Sequence, residues 1–277
     1  MSNKVLKPKK ASLYQFTQNY SNNIDNCIEF FKSMKWPEGF SCDRCGCHKY
    51  YLVKRVGKTK TSYVLECSSC HKQHSLLSGT IFQSCKLDLY KLLLGIFLFF
   101  NENKGISAIE LCSILDVNYK TALLLESKCR ILMSLSNSDQ LLNSLFYEAD
   151  VFNIGAKSKN KAGRASEQQP VLGILSTDKE NSYPRFIKLR LINDYTGLSL
   201  KKNIEKCCVL SHDALLNTDG EKGFNTLNGE IQVKNEKISY EEKDHRLLWL
   251  NIIIGNIKNN ITGIYHGITK REMPLFL

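Results

Sequence analysis

Cys42-Asp43-Arg44-Cys45 and Cys67-Ser68-Ser69-Cys70 are the stretches on which the reading of this chain turns. Each is a C-x2-C pair, and residues 46–66 separate them. Two such knuckles place four thiolates where they close tetrahedrally on one Zn²⁺, with bonds of roughly 2.3 Å. Cys42, Cys45, Cys67 and Cys70 are therefore expected to hold structural zinc in a zinc ribbon spanning residues 36–85. The plainer alternative is four unrelated buried thiols. Cys47, His48, His71 and His74 crowd the same knuckles as substitute ligands, but the regular spacing favours the four cysteines.

Outward from the knuckles, residues 1–35 open with a basic tail, MSNKVLKPKK. Apolar Ile24, Cys27, Ile28 and Phe31 then recur at helical spacing. Trp36-Pro37-Glu38-Gly39-Phe40 is a turn into the first knuckle. Tyr50-Tyr51-Leu52-Val53 and Tyr63-Val64-Leu65 are rich in strand formers, and the basic tip Lys54-Arg55-Val56-Gly57-Lys58 joins them. Such a tip suits a phosphate backbone and a solvated loop equally well.

The 277 residues carry 38 Lys+Arg against 27 Asp+Glu, a formal charge of +11. That excess suits a polyanionic partner, because each neutralised phosphate releases counterions. Eleven cysteines by count alone suit a secreted disulfide scaffold, but the N-terminal stretch lacks the apolar core of a signal peptide. An odd cysteine count and C-x2-C pairs point instead to a reducing compartment. The most apolar run, Leu92 to Phe100, is shorter than the ~20 residues of a membrane span and reads as a buried helix.

Residues 86–135 read as three helical pieces: Leu89 to Phe100, broken at Gly105; Ala108 to Leu115, with Ser107 and Glu110 in a capping box; and Tyr119 to Met133. The turn Asp116-Val117-Asn118 gives the last two a helix-turn-helix outline, in which Tyr119, Lys120 and Thr121 would face a major groove. An ordinary helical hairpin has the same outline. Ser134 to Asn143 is polar and reads as a linker.

Residues 144–277 alternate between strand and helix patterns. Strands are expected at Leu145–Phe152, Val171–Leu175, Phe186–Ile192, Ala214–Thr218 and Ile231–Lys234, and helices at Leu198–Cys208 and His245–Asn260. The order matches an RNase H-like α/β domain. The whole chain is thus expected to be multidomain α+β: zinc ribbon, helix-turn-helix and RNase H-like domain. In the first strand Glu148 and Asp150 point to one face, where carboxylates are costly unless they meet water or a cation. Asp219 ends another apolar strand just before Gly220; with Mg²⁺ between them, two aspartates from different strands form a hard oxygen site. Singly, Asp219 reads as a turn residue. The last helix is apolar nearly all round, hence buried, except for the stripe Asn251, Gly255 and Lys258. That stripe fits a metal ligand, a DNA contact or a hydrogen-bonded core Asn.

In order, these segments resemble the insertion-sequence transposases with an N-terminal zinc ribbon ahead of a DDE-type catalytic domain, a group that includes Merlin-type transposases. The markers are Trp36 to Phe40, Ser78-Gly79-Thr80-Ile81-Phe82, Lys104 to Ala108 and Tyr119 to Ala122. They continue with Glu148-x-Asp150, Gly163-Arg164-x-Ser166-Glu167, Pro170 to Gly173, Thr218-Asp219-Gly220 and Gly263-x-Tyr265-His266-Gly267. The resemblance implies a DNA transposase that cuts element ends and joins the freed 3′-OH to a target. It implies catalytic residues Asp150, Asp219 and Asn251 holding Mg²⁺ or Mn²⁺, with Asp150 bridging two ions. Lys258 joins Tyr119, Lys120 and Thr121 as an expected DNA contact. Partners are the element's terminal repeats and target DNA, with the protein a homo-oligomer on DNA, outside the membrane. The expected location is cytoplasmic at the nucleoid, or nuclear in a eukaryotic host. Val151 stands where relatives often carry an acid, and relatives continue beyond the position of Leu277, implying a shortened catalytic domain. The alternative is a derived zinc-ribbon, helix-turn-helix DNA-binding protein that no longer cuts.

Overall fold

The computed structural model describes residues 12–57, 61–102, 105–138, 141–155, 168–178, 183–235, 247–265, 268 and 273–275. The basic tail up to residue 11, Lys58, Lys104, the 163–167 motif, His266, Gly267 and residues 276–277 lie outside the described residues. The chain divides into two compact units, Met1–Leu132 and Met133–Leu277.

In the first unit, α1 (Leu13–Tyr20) precedes the expected helix, α2 (Ile24–Lys35). Asn23 Oδ1 caps α2 by accepting from Asn26 N, and Cys27, Ile28 and Phe31 are its buried face. The ribbon consists of β1 (Tyr50–Val56), β2 (Thr61–Cys67) and β3 (Gln73–Ser75), antiparallel in that order. β3 escapes sequence reading because three residues are too few to display a period of two.

Helix α3 (Leu89–Asn101) starts at Asp88, whose carboxylate accepts from Lys91 N. Ser107 Oγ accepts from Glu110 N to start α4 (Ala108–Leu115), as the capping pattern predicts. Asp116 is left-handed at φ 48°, turning the chain into α5 (Tyr119–Ser138). Helix α5 runs on through residues 134–138, which were expected to be linker. Their polarity misled, but they contain neither Gly nor Pro to stop a helix. Leu65 and Leu76 of the ribbon share one apolar core with Leu92, Leu111, Leu115 and Leu125 of α3–α5.

The second unit holds a five-stranded sheet. β4 (Phe146–Ile154), β5 (Gln169–Thr177) and β6 (Pro184–Leu191) form an antiparallel meander. Then α6 (Gly197–Glu205) leads to β7 (Leu215–Thr218), a 3-10 turn (Lys222–Leu227) and β8 (Gln232–Asn235). The strand order is β6-β5-β4-β7-β8, with β7 parallel to both β4 and β8. This is the element order expected of an RNase H-like domain. Alternation along β4 and β5 sends Tyr147, Ala149, Leu172 and Ile174 to the α6 side. Phe152, Ile154, Val171 and Leu175 pack instead with Leu250, Ile254 and Ile261 of α7 (Leu248–Gly263).

Helix α7 departs from expectation in one respect: it is not buried all round. Leu248 and Ile252 are 39% and 44% exposed, and Asn251 is exposed. A helix lying on one sheet face buries one stripe, here Leu250, Ile254 and Ile261, and its apolar outer side remains accessible in this chain.

Candidate functional site

The ribbon knuckles bring Cys42, Cys45, Cys67 and Cys70 together with all four sulfurs within 4.8 Å of one another. Sγ–Sγ separations are 3.6 Å for Cys42–Cys70 and 3.5 Å for Cys45–Cys67. A tetrahedron with bonds of roughly 2.3 Å has edges of about 3.8 Å, so the donor set fits Zn²⁺. Each knuckle is a turn closed by a backbone bond, Gly46 N to Cys42 O and His71 N to Cys67 O. The residue four past the first cysteine is left-handed in both, Gly46 at φ 70° and His71 at φ 56°. Glycine adopts that conformation freely, whereas His71 does so at some steric cost.

Three of the substitute ligands are otherwise engaged. Cys47 Sγ lies 3.4 Å from Ser68 Oγ, His48 Nδ1 lies 3.0 Å from Phe40 O, and His71 Nδ1 lies 3.3 Å from Glu66. His74 is buried beside Cys42 and Asp43, and its Nε2 has no hydrogen-bond partner among the described residues. Burial opposes ionisation of the Cys42 thiol, but the Arg44 and Cys45 amides and His74 bond to the sulfur and bring its pKa down to about 6.

The acidic cluster forms where β4 and β7 run side by side. Their parallel register pairs Glu148 with Asn217, which carries Asp150 alongside Asp219 two residues further on. The Asp150 and Asp219 carboxyl groups are close enough for the Asp219 charge to act on Asp150. Gly220, at φ 95°, lets the chain turn sharply just after Asp219. On the other side of Asp150 stands Gly173 of β5. A Cβ there would meet Leu250 Cδ1 and Phe152 Cε1 at 3.3 Å, so the missing side chain lets α7 sit close over the sheet.

Burial first, and then the Asp219 charge, push the Asp150 carboxyl up to about 6; Lys258 of α7 opposes this. The Lys258 ammonium lies 5.5 Å from the centroid of the Phe152 ring. Seven residues separate Lys258 from Asn251, nearly two full turns, so both occupy one flank of α7. Asn251 itself is exposed. Burial also raises the Glu148 carboxyl to about 7, partly offset by its bond from Leu250 N. Sequence reading put Glu148 on the right face without a role and overlooked Asn217, although each stands two residues before an aspartate on its strand.

The Asp150 carboxyl, whose ionisation is opposed by burial and by the Asp219 charge, stands where a divalent cation would screen that repulsion. The pH dependence of stability tests this. Asp150 and Glu148 both bind protons more tightly in the folded chain, so the metal-free protein should lose stability as pH rises through the window of about 4 to 7. The loss should total a few kcal/mol, and millimolar Mn²⁺ should restore much of it at pH 8 while doing little at pH 4.5. Thermal melts at both pH values, with and without Mn²⁺, provide the check.

At the start of α5, Tyr119 and Lys120 are exposed, while Thr121 is half-buried and donates its hydroxyl to Asn118 Oδ1 at 2.9 Å. All three line a cleft of about 650 Å³ with Lys86, Leu87, Leu124 and Lys128.

Among the described residues, no helix is long and apolar enough to cross a membrane. No curated protein matches the chain. Two families do. Residues 23–73 match the transposase zinc-ribbon domain, and residues 145–277 match the ISXO2-like transposase domain. The first match spans the cysteine knuckles, and the second spans the sheet that carries Asp150 and Asp219. With a four-cysteine ribbon followed by this domain, the chain belongs to the insertion-sequence transposases that carry an N-terminal zinc ribbon.

Proposed function

We propose that the chain binds the ends of a mobile DNA element and catalyses metal-dependent strand cleavage and strand transfer. The observation that carries this reading is the approach of Asp150, on β4, and Asp219, just past the end of the adjacent parallel strand β7. Asp150, Asp219 and Asn251 would hold Mg²⁺ or Mn²⁺; when bound, such ions activate the attacking oxygen and stabilise the leaving one in an in-line displacement. The chain's own contribution is position. β4 and β7 hold the two carboxylates side by side, and α7 packs on the same face over β4 and β5. Lys258, on the Asn251 flank, brings a positive charge near Asp150 and suits a DNA phosphate passing the site. Asn251 offers a neutral carbonyl oxygen, so the cation it helps to hold should bind more weakly than at a third carboxylate.

The ribbon and the α4–α5 pair would recognise the element ends. Tyr119, Lys120 and Thr121 open α5, and Lys86 and Lys128 add charge to the same cleft. Since Thr121 spends its hydroxyl on the Asn118 cap, base contacts would come chiefly from Tyr119 and Lys120.

Duplexes carrying the gene's own flanking terminal repeats, incubated with the protein and Mg²⁺ or Mn²⁺, should be nicked at the element boundary and left intact with EDTA. Tight binding to those duplexes without any nicking would instead favour a derived DNA-binding protein that no longer cuts.

A further inference from the structure

Glu148 is buried to within 1% of complete, inside an otherwise apolar stretch of β4. A carboxyl group in such a place needs partners, because an unpaired buried polar group costs on the order of 1–3 kcal/mol. One oxygen has a partner: Oε2 accepts from Leu250 N at 2.9 Å, across 102 positions of sequence. Leu250 stands in the first turn of α7, whose N-cap residue, Leu247, makes no side-chain cap bond. Glu148 therefore supplies from the sheet the cap that the helix lacks, at the end where a helix favours an acceptor. The other oxygen, Oε1, has no partner among the described residues, and neither has Oδ1 of buried Asn217, the residue in register on β7.

β4 and β7 thus carry two rungs on the same face. The inner rung, Glu148 and Asn217, is buried and tied to α7. The outer rung, Asp150 and Asp219, is the candidate cation site. The amide that Glu148 holds belongs to the residue just before Asn251. Fixing that amide fixes both the height and the rotation of the first turn of α7, since successive side chains stand about 100° apart. Asn251 and Lys258 lie on one flank of the helix, and Lys258 already reaches the field of Asp150. Among the described residues, no other side-chain hydrogen bond joins α7 to the sheet.

We propose that Glu148 is a positioning residue of the transposase site: by holding the Leu250 amide it sets α7 over the aspartate rung and so places Asn251. This rests on the cation-site reading above. Glutamine should serve almost as well as glutamate, because its carbonyl oxygen accepts from Leu250 N and its amide can donate to Asn217 Oδ1. Alanine keeps neither bond.

The experiment compares the full chain with Glu148→Gln, Glu148→Ala and Asp150→Ala in three readings: Mn²⁺ affinity from the free-ion spin-resonance signal, hydrogen exchange of the α7 amides, and nicking of terminal-repeat duplexes. Glu148→Gln should stay within about threefold of the parent throughout. Glu148→Ala should lose at least tenfold in Mn²⁺ affinity and in nicking, with exchange over residues 248–254 faster by a similar factor and zinc content unchanged. If Glu148→Ala fails to fold, the glutamine variant still decides: a tenfold loss of Mn²⁺ affinity with protected α7 amides would show that the charge itself is a ligand and overturn the positioning role. Unchanged α7 exchange and Mn²⁺ affinity in the alanine variant would overturn it too. A parent that binds Mn²⁺ no better than Asp150→Ala overturns the cation site itself, and Glu148's proposed role falls with it.

Discussion

Asp150→Ala should abolish strand cleavage, by at least about a thousandfold, while leaving affinity for terminal-repeat DNA within about twofold of the parent. A thousandfold corresponds to about 4 kcal/mol of lost transition-state stabilisation. The size of the effect follows from geometry. Asp150 is the central member of the acidic cluster, flanked by Asp219 just after β7 and feeling the charge of Lys258 from α7. Without it, a lone Asp219 past the end of β7 and a neutral Asn251 would provide too little charge to retain a divalent cation. The proposed contacts to the element ends lie on ribbon and helix surfaces of the other compact unit, which the substitution leaves untouched.

Stability should move the opposite way. A carboxyl driven up to about 6 by burial and a neighbouring charge destabilises the metal-free fold once ionised. Asp150→Ala should therefore melt higher than the parent in EDTA at pH 8, and this advantage should vanish near pH 4.5. Activity lost and stability gained from one substitution is the pattern of a site held under strain for function. Cleavage assays, binding titrations and melts at the two pH values measure each part. Retained cleavage would remove Asp150 from the chemistry.

Cys67→Ser should empty the ribbon of zinc and unfold it. Cys67 is fully buried, ends β2 and pairs through its backbone with Tyr50 of β1. The ribbon is a small three-stranded sheet whose third strand has only three residues, too little structure to stand without its metal. Structural zinc contributes on the order of 10 kcal/mol or more to folding in such modules, and a serine hydroxyl is a poor substitute for a thiolate. Zinc per chain should fall from about one to near zero, proteases should cut within residues 36–85, and specific DNA binding should fall at least tenfold. The sheet of the second unit should keep its own melting transition, since its core shares no residues with the ribbon. Unchanged zinc content would refute the ligand assignment.

Some elements were legible for local reasons. The knuckle spacing named the four cysteines because a zinc knuckle is a short-range turn, written within a few residues. Ser107 and Glu110 announced the start of α4 because a cap involves neighbours in sequence. Alternation along β4 put Glu148 and Asp150 on one face because a strand has a period of two. Other elements were illegible for the converse reason. The end of α5 was misplaced because polarity resembles a linker unless the absence of Gly and Pro is weighed more heavily. The one-sided burial of α7 was missed because an apolar composition does not say how many neighbours a helix has.

The sequence by itself determined the four-cysteine cluster, the charge that suits DNA, the order of helices and strands in the second unit, and which face of β4 bears acid. Only the tertiary structure decided that β7 lies parallel beside β4, so that two aspartates far apart in the chain meet. It alone decided that Glu148 would cap a helix 102 residues away. The physical reason is range. Turns, caps and periodicities are settled by interactions among near neighbours, whereas the approach of β7 and α7 to β4 comes from burying apolar faces against one another, which no local pattern records.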